Sequence, residues 1–312
     1  MRNLPLRIAP LALVASALGA QDVDSVAAYS PAECPDCATW NAPARPVRLF
    51  ANTYYVGTHG LSAVLLTSPN GHVLIDAALP ESAPRIAANI RALGFRVEDV
   101  ELIVNSHVHY DHAGGIAALQ RTSGATVAAS PASAPVLRTG HSGPDDPQYG
   151  GPGPVRGVAG VALAFPAVPN VRVVADGDTL RVGPIAIVAH FTPGHTPGGT
   201  SWSWRACDEG ECRSFVYADS QTPISVDGFS YARSTTYPSA VRDFERGFAV
   251  LERLPCDILV TPHPSASRLW QRLEAREGGA RDALRDPDAC RQYAAAGRKR
   301  LADRLARESS GR

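Results

Sequence analysis

One lysine, Lys299, serves the whole 312-residue chain, and Ala296 stands three places before it, so no Ser-x-x-Lys can be written. Gly-x-Ser-x-Gly is missing too, which excludes two common frameworks for a nucleophilic serine. Net charge is absent, since 30 Lys and Arg balance 30 Asp and Glu. A nucleic-acid or anionic-membrane partner therefore has no electrostatic support from the chain as a whole, although residues 298–307 are locally basic. The one early apolar stretch, 8–18, is too short to span a bilayer as a mature helix.

That stretch follows Arg2 and Arg7 and ends in Ala15-Ser16-Ala17, with Ala20 as a second boundary of small-residue type. The pattern is that of a secretory signal peptide over about residues 1–20, with cleavage between 17 and 20. No cysteine follows the cleavage region, so a lipid anchor is not expected. Export suits the six cysteines, Cys34, Cys37, Cys207, Cys212, Cys256 and Cys290. Six cysteines allow about 15 connectivities, and local order speaks for two pairs. A Cys207–Cys212 bridge would clamp a hairpin around Asp208-Glu209-Gly210-Glu211, and a Cys256–Cys290 bridge would tie a C-terminal helix to the strand that begins at Asp257. Cys34-Pro-Asp-Cys37 could be a redox or zinc pair; with no second such pair, a structural disulfide is favoured.

With 45% hydrophobic residues the chain can bury a large core, and residues 21–312 are expected to form one domain. After an irregular arm over 21–46, short strand-like runs at 47–50, 53–56, 61–67 and 72–76 predict a β-meander, and a helix follows over 84–93. A β-branched strand at 100–104, a short helix at 116–120, a strand at 125–129 and a weaker helix at 131–138 complete a first half. Residues 139–160 are dominated by Gly and Pro and are too long for an ordinary connector, which predicts a loop near a site mouth. The second half repeats the order, with strands at 171–174, 179–182, 185–190, 200–204 and 215–218, and then a helix over 238–254. A strand at 257–260 and helices at about 267–277 and 286–309 finish the chain. Two such halves predict an α/β fold in four layers, an αββα sandwich.

The chemistry concentrates at 105–115, Asn-Ser-His-Val-His-Tyr-Asp-His-Ala-Gly-Gly, where strand 100–104 runs out. His107, His109, Asp111 and His112 fall within six positions, and in extended backbone the first three would project to one side and His112 to the other. Such crowding suits two neighbouring metal ions better than one. Two more histidines sit just after strands, His195 in Thr-Pro-Gly-His-Thr-Pro-Gly-Gly and His263 in Thr-Pro-His-Pro. Either alone would pass as an ordinary loop histidine, but their shared placement at strand ends points to metal binding.

These motifs, His-x-His-x-Asp-His, Pro-Gly-His-Thr-Pro-Gly and Pro-His-Pro, strongly resemble the metallo-β-lactamase superfamily, and within it the subclass B3 enzymes. The resemblance implies the αββα fold, a periplasmic location and two Zn²⁺ ions, one on His107, His109 and His195, the other on Asp111, His112 and His263. Three histidines, or one carboxylate with two histidines, each leave an open position on tetrahedral zinc, in keeping with that partition. It implies hydrolysis of penicillins, cephalosporins and carbapenems by a metal-bound hydroxide, with Asp111 as the catalytic carboxylate. The partners it implies are a small β-lactam and neither nucleic acid nor membrane, for a chain expected to act as a monomer.

Other zinc β-lactamase subclasses place a cysteine ligand near Asp219-Ser220, and this chain has none there. With Lys299 in the tail, a lysine clamp on the substrate carboxylate is also ruled out, and the resemblance gives substrate binding to Ser220 and Thr222. Where some relatives bond the early cysteine to one in the turn at 56–58, His59 follows here, which leaves Cys37 the nearest partner for Cys34. His59, His72, His141 and His190 are expected to be surface or turn residues, with only His141 a candidate for touching substrate. Asp76 is a candidate partner behind a ligand histidine. The rival readings are a thioesterase of the glyoxalase II kind or a lactonase, in which an aspartate near Asp219 would bridge the metals, and an exported zinc-binding protein without turnover.

Overall fold

The computed structural model describes residues 34–150 and 164–310. The leader and its cleavage region, the expected arm before Cys34, and the second half of the long loop lie outside them. Among the described residues, no helix is long and apolar enough to cross a membrane.

Seven strands form the first sheet: β1 (Val47–Phe50), β2 (Thr53–Tyr55), β3 (Val64–Leu66), β4 (His72–Ile75), β5 (Val100–Val104), β6 (Thr126–Ala129) and β7 (Val171–Val173). They lie in chain order, antiparallel from β1 to β4 and parallel from β4 to β7. The second sheet has β8 (Thr179–Val182), β9 (Ile185–Phe191), β10 (Thr200–Asp208), β11 (Glu211–Tyr217) and β12 (Ile258–Val260) in the order β12-β11-β10-β9-β8. Only its β11–β12 pair is parallel. The helices are α1 (Cys37–Trp40), α2 (Ala83–Ala92), α3 (Tyr110–Ala113), α4 (Ile116–Ser123), α5 (Ser133–Thr139), α6 (Ala240–Arg253), α7 (Leu269–Glu277) and α8 (Ala289–Ser309).

Strand alternation builds the four layers. Val64, Leu66, Val73, Ile75 and Val104 of the first sheet share one buried cluster with Ile187, Trp202, Phe215, Tyr217, Ile258 and Val260 of the second. Their neighbours point outward, because successive strand side chains take opposite faces. Leu65, Leu74, Ile103 and Val127 pack against Ile86 and Ile90 of α2 and Ile116 and Leu119 of α4. On the far side, Val216 and Leu259 meet Phe244, Phe248 and Leu251 of α6 and Tyr293 and Leu301 of α8. Each large side chain so buried contributes about 1.5–3 kcal/mol, so both faces of both sheets hold the fold together. Two indoles cross the sandwich as donors: Trp202 Nε1 to Asn105 O at 3.0 Å, and Trp204 Nε1 to Thr53 Oγ1 at 3.1 Å. The expected αββα sandwich is the observed one.

Several boundaries differ from the sequence reading. Val171–Val173 belongs to the first sheet as its last parallel strand, paired with β6, so the chain crosses to the second sheet after this strand and not before it. The hairpin strands reach further toward their tip than apolar alternation suggests, since backbone pairing continues through Arg205–Ser214 to Cys207–Cys212. The expected strand at 61–67 shrinks to three residues. A turn of helix, α1, interrupts the arm expected to be irregular.

In the structure the six cysteines form three disulfides: Cys34–Cys37, Cys207–Cys212 and Cys256–Cys290. The last joins the residue two before β12 to the first turn of α8. Near the other end of α8, Glu308 accepts from Ser230 Oγ at 2.8 Å, the Tyr231 and Ala232 amides at 3.0 Å each, and Arg304 Nε at 2.8 Å. Burial acts to raise its pKa, but these donors overcome it and hold the group below its ordinary 4.5. A carboxylate with a depressed folded-state pKa stabilises the fold fully above the unfolded value, and that stability goes as pH falls through the folded value. Glu308→Gln is therefore expected to cost about 1–3 kcal/mol at neutral pH, with the difference closing at acid pH. Thermal melts of both proteins across that range test it, and a pH-independent gap would count against the account.

Candidate metal centre

β5 delivers the histidine cluster, and a buried carboxylate fixes where it ends. Asp76, just after β4, has φ +58° and accepts from Asn105 Nδ2 (3.1 Å), the Ser106 amide (2.7 Å), Ser106 Oγ (2.6 Å) and Tyr217 Oη (2.8 Å). Left-handed backbone at a non-glycine residue costs on the order of 1 kcal/mol, and four hydrogen bonds outweigh that. Asp76 thus clamps the two residues before His107. Its hydrogen-bond partners are Asn105, Ser106 and Tyr217 and not a candidate ligand histidine, which corrects the sequence expectation.

The extended alternation expected through 107–112 stops at His109. That residue keeps extended backbone and serves as the N-cap of α3, whose first turn closes with Ala113 N to His109 O at 2.8 Å. Consecutive residues on a helical turn diverge by about 100°, so Asp111 and His112 are not placed as strand neighbours would be. Asp111 Oδ2 instead lies 3.1 Å from His112 Nε2 and 3.2 Å from His263 Nε2. Asp111 and His112 lie together, contrary to the two-sided expectation.

His195 and His263 arrive from the second sheet. Gly194, at φ +137°, takes a conformation that L side chains rarely adopt, and a Cβ there would also lie 2.5 Å from Phe244. The turn can only be tight at glycine. His263 follows β12, with its carbonyl accepting from Thr261 Oγ1 at 2.7 Å and its ring 5.2 Å from that of Trp40. His107, His109 and His195 come together with donor atoms within 4.8 Å of one another, and so do His107, Asp111 and His112. His107 is common to both groups, which makes one continuous centre, and His263 joins it through Asp111.

Partners behind the rings decide which nitrogen faces inward. His107 Nδ1 is 2.8 Å from Asp219 Oδ1, His109 Nε2 is 3.0 Å from Asp146 Oδ2, and His195 Nδ1 donates to Thr222 O at 2.7 Å. That leaves His107 Nε2, His109 Nδ1 and His195 Nε2 for the centre. His107 Nε2 is a buried nitrogen without a hydrogen-bond partner, and the Gln148 amide reaches the other two, at 3.3 Å and 3.4 Å. Asp219 fits behind His107 because a Cβ at Gly199 would stand 2.3 Å from its Oδ2.

Electrostatics favour the ligating forms. Burial, followed by His112 and His195, holds His107 well below its ordinary pKa, and burial with His109 lowers His195 to about 3. Both are neutral at physiological pH. Burial opposes the charge on Asp111, but His112 and His263 overcome it and keep the carboxylate ionised. His109 is the exception: burial lowers its pKa, and Asp146 more than reverses that. Zinc fits a donor set that offers His107 and His195 as neutral imidazoles and Asp111 as an ionised carboxylate. Two donors on one tetrahedral zinc at about 2.0–2.1 Å stand about 3.3 Å apart, close to the separations from Asp111 Oδ2.

Asp146 and Gln148 were not singled out from the sequence. Their signal was the long loop itself, since a segment too long for a connector and carrying a carboxylate can stand behind a ligand histidine. Thr222 touches the centre through its carbonyl, and Ser220 is buried next to Asp219. His59 stacks on Trp270, His72 lies in β4, His141 bonds the Thr139 carbonyl and His190 bonds Ser203, all apart from the cluster. An outer partner such as Asp219 is worth about 10–100-fold in metal affinity or activity. Asp219→Asn is expected to weaken zinc binding by that factor in chelator competition, and unchanged affinity in folded protein would deny it the role.

The sequence model of the metallo-beta-lactamase superfamily matches residues 56–208. The solved structure of the Rm3 metallo-beta-lactamase is 56% identical, with a TM-score of 0.84 over 88% of this chain and 99% of that one. MEM-A1, a subclass B3 metallo-beta-lactamase from a soil metagenome library, is 48% identical, with a TM-score of 0.82 over 88% of this chain and 100% of that one. An N-acyl homoserine lactonase of Bacillus cereus is 31% identical over 81 residues, 19% of this chain. The chain spans 32% and 59% of the length of the curated relatives it matches.

Proposed function

This chain belongs to the metallo-β-lactamase superfamily, and from that membership and its histidine-rich centre we propose that it is a subclass B3 enzyme hydrolysing the β-lactam amide bond. The observation that carries the reading is the convergence of His107, His109, His195, Asp111, His112 and His263 at the strand ends of both sheets. Relatives similar over nearly their whole length and named as metallo-β-lactamases support the same chemistry.

The proposal assigns two zinc ions, the first to His107, His109 and His195 and the second to Asp111, His112 and His263. When bound, zinc supplies Lewis acidity and lowers the pKa of water to about 7. Asp219, Asp146 and the Thr222 carbonyl hold the first three imidazoles in the tautomers that ligation needs. Asp111 Oδ2 faces His112 and His263, which leaves Oδ1 to accept a hydrogen of the attacking water and orient it. Ser220 and Thr222 are assigned to the substrate carboxylate, in a chain without a lysine nearby. No protein nucleophile is needed, so penicillins, cephalosporins and carbapenems are all proposed substrates and no acyl-enzyme should accumulate. The leader pattern and the paired cysteines support a periplasmic protein, proposed to act as a monomer.

Against the thioesterase and lactonase readings, Asp219 lies behind His107, bonded to the nitrogen that faces away from the centre. A carboxylate held there is not available to bridge two metals. Hydrolysis of a chromogenic cephalosporin is expected to be abolished by chelator and restored by zinc, with two equivalents of zinc per chain by elemental analysis. Full turnover in metal-free protein would overturn the mechanism. Strong thioester or lactone hydrolysis without lactam hydrolysis would transfer the chain to the rival reading.

A further inference from the structure

Thr222 has a second neighbour besides His195: a cavity of about 540 Å³ whose lining includes none of the six residues of the metal centre. Arg268, Arg272, Arg285 and Arg300 line it, and Asp286 is the one carboxylate among them. Arg285 is ion-paired with Asp257 at 3.4 Å. Among the described residues, Arg268, Arg272 and Arg300 have no carboxylate ion-paired to them, so the cavity carries an excess of positive charge.

The arginines differ in what they can still donate. Arg272 spends its guanidinium on backbone carbonyls, with Nε to Ala283 O at 3.2 Å, Nη1 to Leu259 O at 3.4 Å and Nη2 to Leu284 O. It is a fixed charge, and burial with the nearby Arg268 lowers its pKa despite Asp286. Arg300 gives Nη2 to Gln221 O at 3.3 Å, but its Nε is buried with no acceptor. Arg300 therefore lines the cavity with a guanidinium that is not fully satisfied, and in positively charged surroundings an anionic oxygen is the acceptor that suits it.

We propose that this cavity binds a small polyanionic oxyanion, a phosphorylated or polycarboxylated molecule, with Arg300 and Arg268 as its donors. Orthophosphate would fill a fraction of the volume and is the simplest probe. Such a ligand would rest against Thr222, whose carbonyl orients His195, and would compete for the guanidinium that grips Gln221 O. The cavity is in this way a second site, one hydrogen bond away from a histidine of the metal centre.

The test is calorimetric titration of inorganic phosphate into the zinc-loaded mature protein and its Arg300→Gln and Arg268→Gln variants, each checked for fold and zinc content. Saturable binding, weakened about tenfold or more in both variants, is expected, because each removes a charge-assisted donor. Arg268 is exposed, so its variant remains informative if Arg300→Gln fails to fold. A selenate-soaked crystal should show anomalous density in this cavity, between Arg300 and Arg268. Absence of saturable binding, equal affinity in the variants, or selenate only at the zinc ions would overturn the proposal.

Discussion

Asp111→Asn protein is expected to hydrolyse β-lactams more than about 100-fold slower than wild type, since loss of even an outer partner of a metal costs about 10–100-fold. Asp111 Oδ2 is the atom that His112 and His263 both approach, at 3.1 Å and 3.2 Å. Its carboxylate supplies the one negative charge among the six assigned ligands, and an amide of the same shape does not. The second zinc equivalent should be lost first, while His107, His109 and His195 keep theirs. Steady-state rates and elemental analysis of the same preparation test the two halves together. A variant that keeps both ions and turns over within a few-fold of wild type would show that Asp111 neither holds a metal nor orients water.

The largest effect on stability is expected from Cys256→Ala/Cys290→Ala. This bridge closes a loop with a sequence separation of 34, against 5 for Cys207–Cys212 and 3 for Cys34–Cys37. Loop-closure entropy grows with the logarithm of loop length, so the longest loop restricts the unfolded chain most, by about 2–5 kcal/mol. It also ties α8 to β12, the strand that leads to His263. Denaturant unfolding should show the loss, with zinc affinity at the second site falling in parallel. A double variant as stable as wild type would mean that α6 and α8 packing alone secures this corner.

Much of the scaffold is legible in the amino-acid sequence. β5 and β8 coincide with their expected bounds, because β-branched or alternating runs closed by turn residues leave little freedom. α6 was readable from Phe244, Phe248 and Leu251, which recur at helical spacing and are all buried. β10 and β11 were under-read at the hairpin tip, where Arg205, Asp208 and Glu211 carry the backbone ladder without an apolar pattern. β7 was assigned to the wrong half, since a short strand carries no mark of the sheet it will join.

For the centre, residue types and spacing determined the ligand candidates on their own, because four ligating side chains in six positions have few other uses. Only the tertiary structure decided how they face one another. A single helical turn at Tyr110 redirected Asp111 and His112, which local alternation had treated as strand positions. Partners behind the rings come from far along the chain, Asp219 for His107 at a separation of 112 residues and Asp146 for His109 at 37. Ligand chemistry is a property of side chains and can be read one residue at a time. Tautomer, charge and direction depend on what is packed behind each ring, and that is set only when the two sheets close on each other.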